Sequence, residues 1–128
     1  MFLRAIPILH VSRSEDAERF YCELLGFRRR FAYRPEEPER DPCFLGLDRD
    51  GVVLHISSFI GDAVPGGAAT IIVDDLDALY AEFSERDVPV DFPPTMQDWG
   101  NREMYVTDAD RNSIRFIEAR ATQLPPAQ

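Results

Sequence analysis

Two stretches of the chain carry apolar residues at the spacing of an amphipathic helix. The first is expected at about residues 15–25, where Ser12 or Ser14 can cap it, and the second begins after Asp74 or Asp75. In both stretches apolar residues recur at i, i+3, i+4 and i+7, which is the pattern of one buried helix face. These positions are Ala17, Phe20, Tyr21 and Leu24 in the first helix, and Leu76, Leu79, Tyr80 and Phe83 in the second.

Short apolar segments predict strands around each helix, in the same order in both halves. In the first half they fall near residues 5–11, 27–33, 44–47 and 52–57, and in the second near 68–73, 88–92, 102–106 and 113–117. Polar or proline-rich segments predict loops at 34–42 and 93–100. The order strand, helix, strand, hairpin occurs twice, which predicts an α+β fold of two tandem βαβββ modules.

The two modules are expected to form one domain over residues 1–128. Module 1 spans about residues 1–60, a linker follows at 61–67, module 2 spans about 68–120, and residues 121–128 form a frayed tail. One four-stranded sheet with one helix leaves a sheet face uncovered, and a second module can supply a cover. We therefore expect two curved sheets around a cleft that receives a small molecule.

Charge and composition narrow the classes of partner. Fourteen Lys and Arg residues against 23 Asp and Glu residues give a formal charge of −9, which argues against nucleic acid and against an anionic membrane surface. This charge would steer a cationic ligand towards the protein, although it can also serve only to keep the protein dissolved. The first residues show no secretory signal and apolar runs are short, so we expect a cytoplasmic protein with Cys22 and Cys43 as reduced packing thiols.

Several local motifs are shared with a known family. They are the segment Pro7-Ile8-Leu9-His10-Val11, the pair Phe20-Tyr21, the triplet Leu25-Gly26-Phe27 and the turn from Asp108 to Asn112. Through them the chain resembles the vicinal oxygen chelate (glyoxalase/bleomycin resistance/dioxygenase) superfamily from about residue 5 to residue 118. Within it, residues 76–85 and Trp99-Gly100 followed by Arg102-Glu103 are similar to bleomycin resistance proteins. The resemblance implies paired βαβββ units and a homodimer in which modules or strands exchange.

The resemblance also bears on metal chemistry. Enzymes of this superfamily hold a divalent metal with four side chains, and the matching positions here are Ile6, His55, Ala68 and Arg115. Of these four, only His55 can donate to a metal, because Ile6 and Ala68 have no donor atom and Arg115 is a permanent cation. We therefore expect no metal, no cofactor and no catalytic residue, which leaves the binding branch of the family.

In bleomycin resistance proteins, aromatic side chains stack on the drug in a groove at the dimer interface. The resemblance assigns these stacking positions to Phe31 and Trp99, although ordinary strand packing remains open for Phe31. Arg30 stands beside Phe31 where the drug-binding proteins carry an acidic residue, so attraction for a cationic glycopeptide is weakened. We expect a binding protein that takes up a small molecule, namely an aromatic antibiotic or metabolite that can be bleomycin-like, and sequesters it.

Two polar residues are expected to face each other inside the cleft. They are His55 and Arg115, and an arginine in such a place needs a carboxylate from the protein or from a ligand. Glu103 can pair with Arg115 internally. Alternatively, Arg115 holds an anionic or carbonyl group beside His55, which would make the protein an enzyme acting on a small carbonyl or carboxylate substrate. A dimer that binds a protein partner and no small ligand is the third possibility.

Overall fold

The computed structural model of the chain describes residues 1–120, and the tail expected at 121–128 lies outside the described residues. Module 1 contains β1 (Ile8–His10), α1 (Ser14–Glu18), β2 (Arg28–Tyr33), β3 (Phe44–Arg49) and β4 (Val52–Ser57). Module 2 contains β5 (Ala68–Val73), α2 (Leu76–Glu85), β6 (Val90–Met96), β7 (Arg102–Thr107) and β8 (Ser113–Glu118). Both halves follow the βαβββ order, which confirms the predicted α+β fold.

The two sheets have the same topology. The first has the strand order β1-β4-β3-β2 and the second has the order β5-β8-β7-β6. In each sheet the first strand of the module pairs in parallel with the last, and the remaining pairs are antiparallel. The strand that opens each module therefore lies at one edge of its sheet, directly beside the closing hairpin.

One face of each sheet is buried. Alternate residues of β3 and β4, among them Leu45, Leu47, Leu54 and Ile56, are almost inaccessible to solvent, as are Met104, Val106 and Ile114 in module 2. These side chains form a single hydrophobic cluster with residues of both helices, including Tyr21 and Phe83. The modules thus share one core, and the opposite face of each sheet stays open.

The first helix differs from its prediction in its cap and in its second half. Neither Ser12 nor Ser14 caps it; instead, the backbone N–H of Ser14 donates to the carboxylate of Asp41 at 3.1 Å. From Arg19 to Leu24 the helix continues as a π-helix. The buried apolar residues are Ala17, Tyr21 and the C-cap residue Leu25, and Ser14 at the start of α1 is buried as well. The cap comes from Asp41 in a distant loop, and no local pattern in the sequence indicates that Asp41 pairs with Ser14.

The second helix follows its prediction. Asp75 is the N-cap, and its carboxylate accepts a hydrogen bond from the backbone N–H of Ala78 at 2.9 Å. The helix places Leu76 and Phe83 in the core.

Two strand lengths were predicted wrongly. The ladder of β1 covers only residues 8–10, because Pro7 has no N–H to donate, although its carbonyl still accepts from the His55 N–H at 3.0 Å. β6 continues to Met96 through Pro93 and Pro94, which were expected in a loop. β6 is the edge strand of its sheet and its register shifts between Phe92 and Thr95, so it can accept residues that lack an N–H.

The modules are joined by buried polar contacts. The Tyr21 hydroxyl of module 1 donates to Asp108 of module 2 at 2.7 Å, and the Asn112 side-chain N–H donates to the His10 carbonyl at 2.8 Å. The N–H of Gly67, just before β5, donates to the Asn112 side-chain oxygen at 2.9 Å. The turn from Asp108 to Asn112, which also carries the family resemblance, therefore joins the two modules through hydrogen bonds.

Among residues 1–120, no helix combines the length and the apolar character that crossing a membrane requires.

Candidate functional site

The open face of each sheet carries one row of side chains at an equivalent level. In the first sheet the register aligns Ile8, His55, Gly46 and Phe31 across four strands. In the second sheet it aligns Thr70, Arg115, Tyr105 and Phe92. His55 and Arg115 therefore occupy the same position in the two modules, as the family resemblance implied, and their neighbours on the first strands are Ile8 and Thr70.

The first sheet presents an aromatic cluster made of Phe31, Phe44 and His55. The Phe31 ring is stacked with the Phe44 ring, with centroids 6.2 Å apart and planes 8° from parallel. The His55 imidazole meets both rings edge-on, at centroid distances of 5.9 Å from Phe31 and 5.1 Å from Phe44. Phe31 remains 47% exposed, so one side of its ring is free to receive a ligand.

The backbone beneath Phe31 is what allows the ring to lie flat. Gly46 is buried under it, and a Cβ added at Gly46 would lie 2.0 Å from the Phe31 Cε2 atom. No side chain larger than hydrogen fits between the strand and the ring.

His55 is in a dry environment. Partial burial lowers the pKa of its imidazole below the ordinary value of 6.5, because loss of water disfavours the charged form. The ring is therefore neutral at pH 7 and can accept or donate a hydrogen bond.

The basic edge beside Phe31 is partly neutralised. Arg30 and Arg28 both approach the Asp48 carboxylate, at 3.6 and 3.7 Å, and Arg29 pairs with Glu18 at 3.2 Å. Arg30 remains exposed, so it contributes a positive charge at the rim of the aromatic cluster.

The second sheet presents a network of four side chains, which we call the Trp99 network: Trp99, Glu103, Tyr105 and Arg115. The indole N–H of Trp99 donates to Glu103 Oε2 at 2.7 Å, and the Tyr105 hydroxyl donates to Glu103 Oε1. The Arg115 guanidinium lies over the Tyr105 ring, 4.9 Å from its centroid. Glu103 is 3% exposed whereas Trp99 is 63% exposed, so a buried carboxylate anchors an indole ring that projects into solvent.

The contacts around Glu103 decide its charge. Burial raises the pKa of its carboxyl group, but hydrogen bonds from Tyr105, Trp99 and Asn101, with the nearby charge of Arg115, lower it more, and the result lies below the ordinary 4.5. Glu103 is thus ionised at neutral pH. No ion pair joins it to Arg115 within residues 1–120, since its oxygens are occupied by Trp99 and Tyr105.

The predicted site residues fall into two groups within one chain. Phe31, Arg30 and His55 lie on the first sheet, Glu103 and Arg115 lie on the second, and Trp99 lies in the loop between β6 and β7. Across the described part of the chain, no hydrogen bond, ion pair or ring contact joins His55 to Arg115. The two residues lie on the open faces of two different sheets.

The concave space between the modules lies elsewhere. A cavity of about 440 Å³ is lined by residues of both halves, among them Leu25, Ile71, Leu79 and Phe116. The bidentate ion pair between Arg49 and Glu82, at 2.8 Å, forms part of its wall. None of the six predicted site residues lines this cavity, so we place the candidate site on the open sheet faces.

The residues on these faces do not fit a divalent metal. His55 is surrounded by phenyl rings, and the equivalent position is the Arg115 guanidinium, which repels cations. The nearby carboxylates are engaged as well, since both oxygens of Glu103 accept hydrogen bonds and Asp48 is approached by Arg28 and Arg30. A catalytic metal site of three protein donors cannot be assembled from this set.

One group of acidic side chains lies away from the site. Asp75, Asp77 and Glu118 bring carboxylate oxygens within 4.8 Å of one another at the start of α2. Arg102 already binds Asp77 at 2.7 Å and lies 3.7 Å from Glu118. Asp75 and Glu118 accept hydrogen bonds from backbone N–H groups in the first turn of α2, so these carboxylates stabilise the start of the helix.

Sequence reasoning missed Phe44, Gly46 and Tyr105. The signal was present, because residues 45 and 47 of β3 are buried while 44 and 46 share the face of His55. Tyr105 is likewise two residues after Glu103 on the same strand and therefore on the same face. Strand alternation indicates the face, but the fit of Phe31 over Gly46 depends on two strands meeting in register.

Comparison with known proteins identifies the family. A family model described as glyoxalase superfamily protein matches residues 1–123, whereas no curated protein sequence matches the chain.

Solved structures share the fold over nearly the whole chain. The bleomycin-binding protein from Streptomyces verticillus, solved with copper(II)-bleomycin, is 28% identical with a TM-score of 0.73, covering 94% of this chain and 98% of that one. A glyoxalase/bleomycin resistance protein/dioxygenase superfamily member from Sphaerobacter thermophilus is 26% identical with a TM-score of 0.71, covering 93% and 98%. Lactoylglutathione lyase from Agrobacterium tumefaciens, at 18% identity and a TM-score of 0.70 over 91% and 93%, shares the fold alone. The chain therefore belongs to the glyoxalase superfamily, and its fold is that of the bleomycin resistance proteins.

Proposed function

We propose that this protein binds a flat aromatic small molecule and sequesters it, without metal chemistry, in a groove between two protomers. The observation that carries the proposal is the Trp99 side chain, which is 63% exposed and yet held by a hydrogen bond to a buried carboxylate. An exposed indole with a fixed orientation offers a preformed stacking surface at low entropic cost.

The two open faces support a groove that needs a second copy of the chain. Phe31 lies on the first sheet and Trp99 lies beside the second, in the loop between β6 and β7. Each face exposes further apolar side chains such as Ile8 and Ile72. If two protomers pack so that the first sheet of one faces the second sheet of the other, both faces are covered. Symmetry then creates two equivalent grooves, each lined by Phe31 of one protomer and Trp99 of its partner.

The likeness to the Streptomyces verticillus protein, which was solved with copper(II)-bleomycin, makes bleomycin one candidate ligand. Arg30 at the rim disfavours a cationic drug, so other flat aromatic compounds belong in the same test.

Fluorescence titration tests the proposal, because Trp99 is the only tryptophan of the chain. Bleomycin and neutral flat aromatics are titrated into the protein while its emission is followed. We expect saturable quenching, and we expect Phe31→Ala to weaken binding about tenfold because a stacking surface is lost. Val64→Ala, an exposed apolar position outside both faces, should bind like the unmodified protein. Absence of both quenching and a thermal shift at about millimolar ligand would reject the proposal.

A second candidate function is catalysis on a small carbonyl or carboxylate substrate. The lowered pKa of His55 favours it, because a neutral imidazole can serve as a general base at pH 7. Elemental analysis together with a comparison of turnover by the unmodified protein and His55→Ala tests this role. A stoichiometric metal, or turnover lost in His55→Ala, would favour the enzyme over the passive binder.

A further inference from the structure

We propose that the ligand is an aromatic anion, such as an aromatic carboxylate, whose ring lies on Trp99 and whose anionic group binds the Arg115 guanidinium. The inference rests on the proposed function, since it assigns the chemistry of the molecule held between Phe31 and Trp99.

Arg115 is an arginine of the open faces that forms no ion pair within residues 1–120. Its side chain is exposed, and its one hydrogen bond among these residues runs from Nε to the Ser113 hydroxyl at 3.5 Å. By contrast, Arg28 and Arg30 approach Asp48, and Arg102 binds Asp77. Most of the N–H donors of Arg115 are therefore available to a ligand.

The guanidinium is held in position before a ligand arrives. It lies over the Tyr105 ring, 4.9 Å from the centroid, and the Tyr105 hydroxyl is itself fixed by its hydrogen bond to Glu103. A planar guanidinium held against a ring presents its outer edge as a pair of parallel donors, which matches a carboxylate.

The nearest carboxylate does not compete with an incoming anion. Glu103 is 3% exposed, and its two oxygens accept from Trp99 and Tyr105. A ligand on this face therefore meets N–H donors at Arg115 and an indole ring at Trp99, while the negative charge lies behind them. The same carboxylate orients both the stacking residue and, through Tyr105, the cation.

The facing surface adds no unbalanced negative charge. On the first sheet the acidic side chain near Phe31 is Asp48, and it is shared by Arg28 and Arg30. The net charge of −9 acts from a distance, and at physiological salt such interactions are screened beyond roughly 8 Å. Contact with Arg115 therefore decides which ligand charge is preferred.

A charge series on one ring system tests the inference. Naphthoate, naphthamide and naphthylmethylammonium are titrated calorimetrically into the full-length chain, into Arg115→Gln and into Arg111→Gln. Arg111 is an exposed arginine in the turn between β7 and β8, so its variant loses the same charge away from the site. We expect naphthoate to bind at least about tenfold more tightly than naphthamide, and naphthylmethylammonium to bind most weakly. Arg115→Gln should abolish the preference for naphthoate, while Arg111→Gln should keep it.

The outcomes separate this inference from the proposed function. Equal affinities across the series, tightest binding of the ammonium compound, or an unchanged naphthoate preference in Arg115→Gln would overturn the anionic ligand and leave aromatic binding standing. Failure of all three compounds to bind the unmodified protein at about 5 mM would overturn both. Naphthamide binding by Arg115→Gln at the unmodified affinity shows that the variant is folded.

Discussion

At the scale of single residues, the candidate site depends on two buried residues, Gly46 and Glu103. Gly46 allows the Phe31 ring to lie flat against the strand, because no Cβ fits beneath the ring. Glu103, buried on the open face of the second sheet, holds Trp99 and Tyr105 by hydrogen bonds. The exposed aromatic pair, Phe31 and Trp99, is predictable from a family resemblance, whereas Gly46 and Glu103 support it through contacts that the sequence does not reveal.

Substitution of Gly46 by alanine should disturb Phe31 specifically. The new methyl group would displace the ring, which can swing outward because it is half exposed. We expect ligand affinity to fall about tenfold with the fold retained. Gly67→Ala is the matched control, since a Cβ there meets its nearest neighbours at an ordinary 3.5 Å. Equal affinities of both variants in the fluorescence titration would show that the position of Phe31 does not matter.

The charge of Glu103 should control the environment of Trp99. The pKa of Glu103 is lowered in the folded chain. The stability that its ionised carboxylate contributes to the fold is therefore present above the unfolded pKa and is lost as pH falls through the folded pKa. Trp99 emission should therefore be constant from about pH 8 to pH 5 and change only in more acidic solution.

A variant of the same carboxylate separates this effect from general acid unfolding. Glu103→Gln has one acceptor oxygen for two donors, so its emission should already differ at neutral pH. Glu85→Gln, at an exposed position on α2, should leave the spectrum unchanged. Identical spectra of Glu103→Gln and the unmodified protein would contradict the network.

At the scale of elements, local signals predicted α2 well and α1 poorly. Asp75 lies directly before its helix and caps it, so the sequence contained the whole interaction. The cap of α1 comes from Asp41, 27 residues away, and its second half is a π-helix. Similarly, Pro93 and Pro94 predicted a loop, because the sequence does not tell that β6 is an edge strand.

The cap of α2 can be tested by stability. Asp75→Ala removes the acceptor of the Ala78 N–H and should lower the free energy of unfolding by about 1 kcal/mol. Asp74→Ala changes the same residue type one position earlier and should cost less. Urea unfolding measures both, and equal losses would show that capping by Asp75 is not the cause.

At the scale of the molecule, the repeat and its shared core were predictable while the placement of the open faces was not. Periodicity predicted two modules, and the family resemblance implied the equivalence of His55 with Arg115. That His55 and Arg115 share one hollow stays a prediction. In the structure the modules share a core and are joined by contacts such as that of Tyr21 with Asp108.

This joint should contribute measurably to stability. Tyr21→Phe removes a buried hydroxyl that donates to the Asp108 carboxylate at 2.7 Å. We expect a loss of about 1.5 kcal/mol in the free energy of unfolding, since hydrogen bonds to charged groups are stronger than neutral ones. Tyr33→Phe, at an exposed tyrosine, should cost almost nothing in the same measurement. A Tyr21→Phe protein as stable as the Tyr33→Phe protein would contradict a stabilising joint.

The central claim is that each groove combines Phe31 of one protomer with Trp99 of its partner. A heterodimer made from one Phe31→Ala chain and one Trp99→Ala chain, carrying different affinity tags, tests it by calorimetric titration. The account predicts that both parent homodimers bind weakly, whereas the heterodimer regains one groove of unmodified affinity, or about half the sites of the unmodified dimer. A heterodimer without any site of unmodified affinity, or a chain that sediments only as a monomer, would contradict the account.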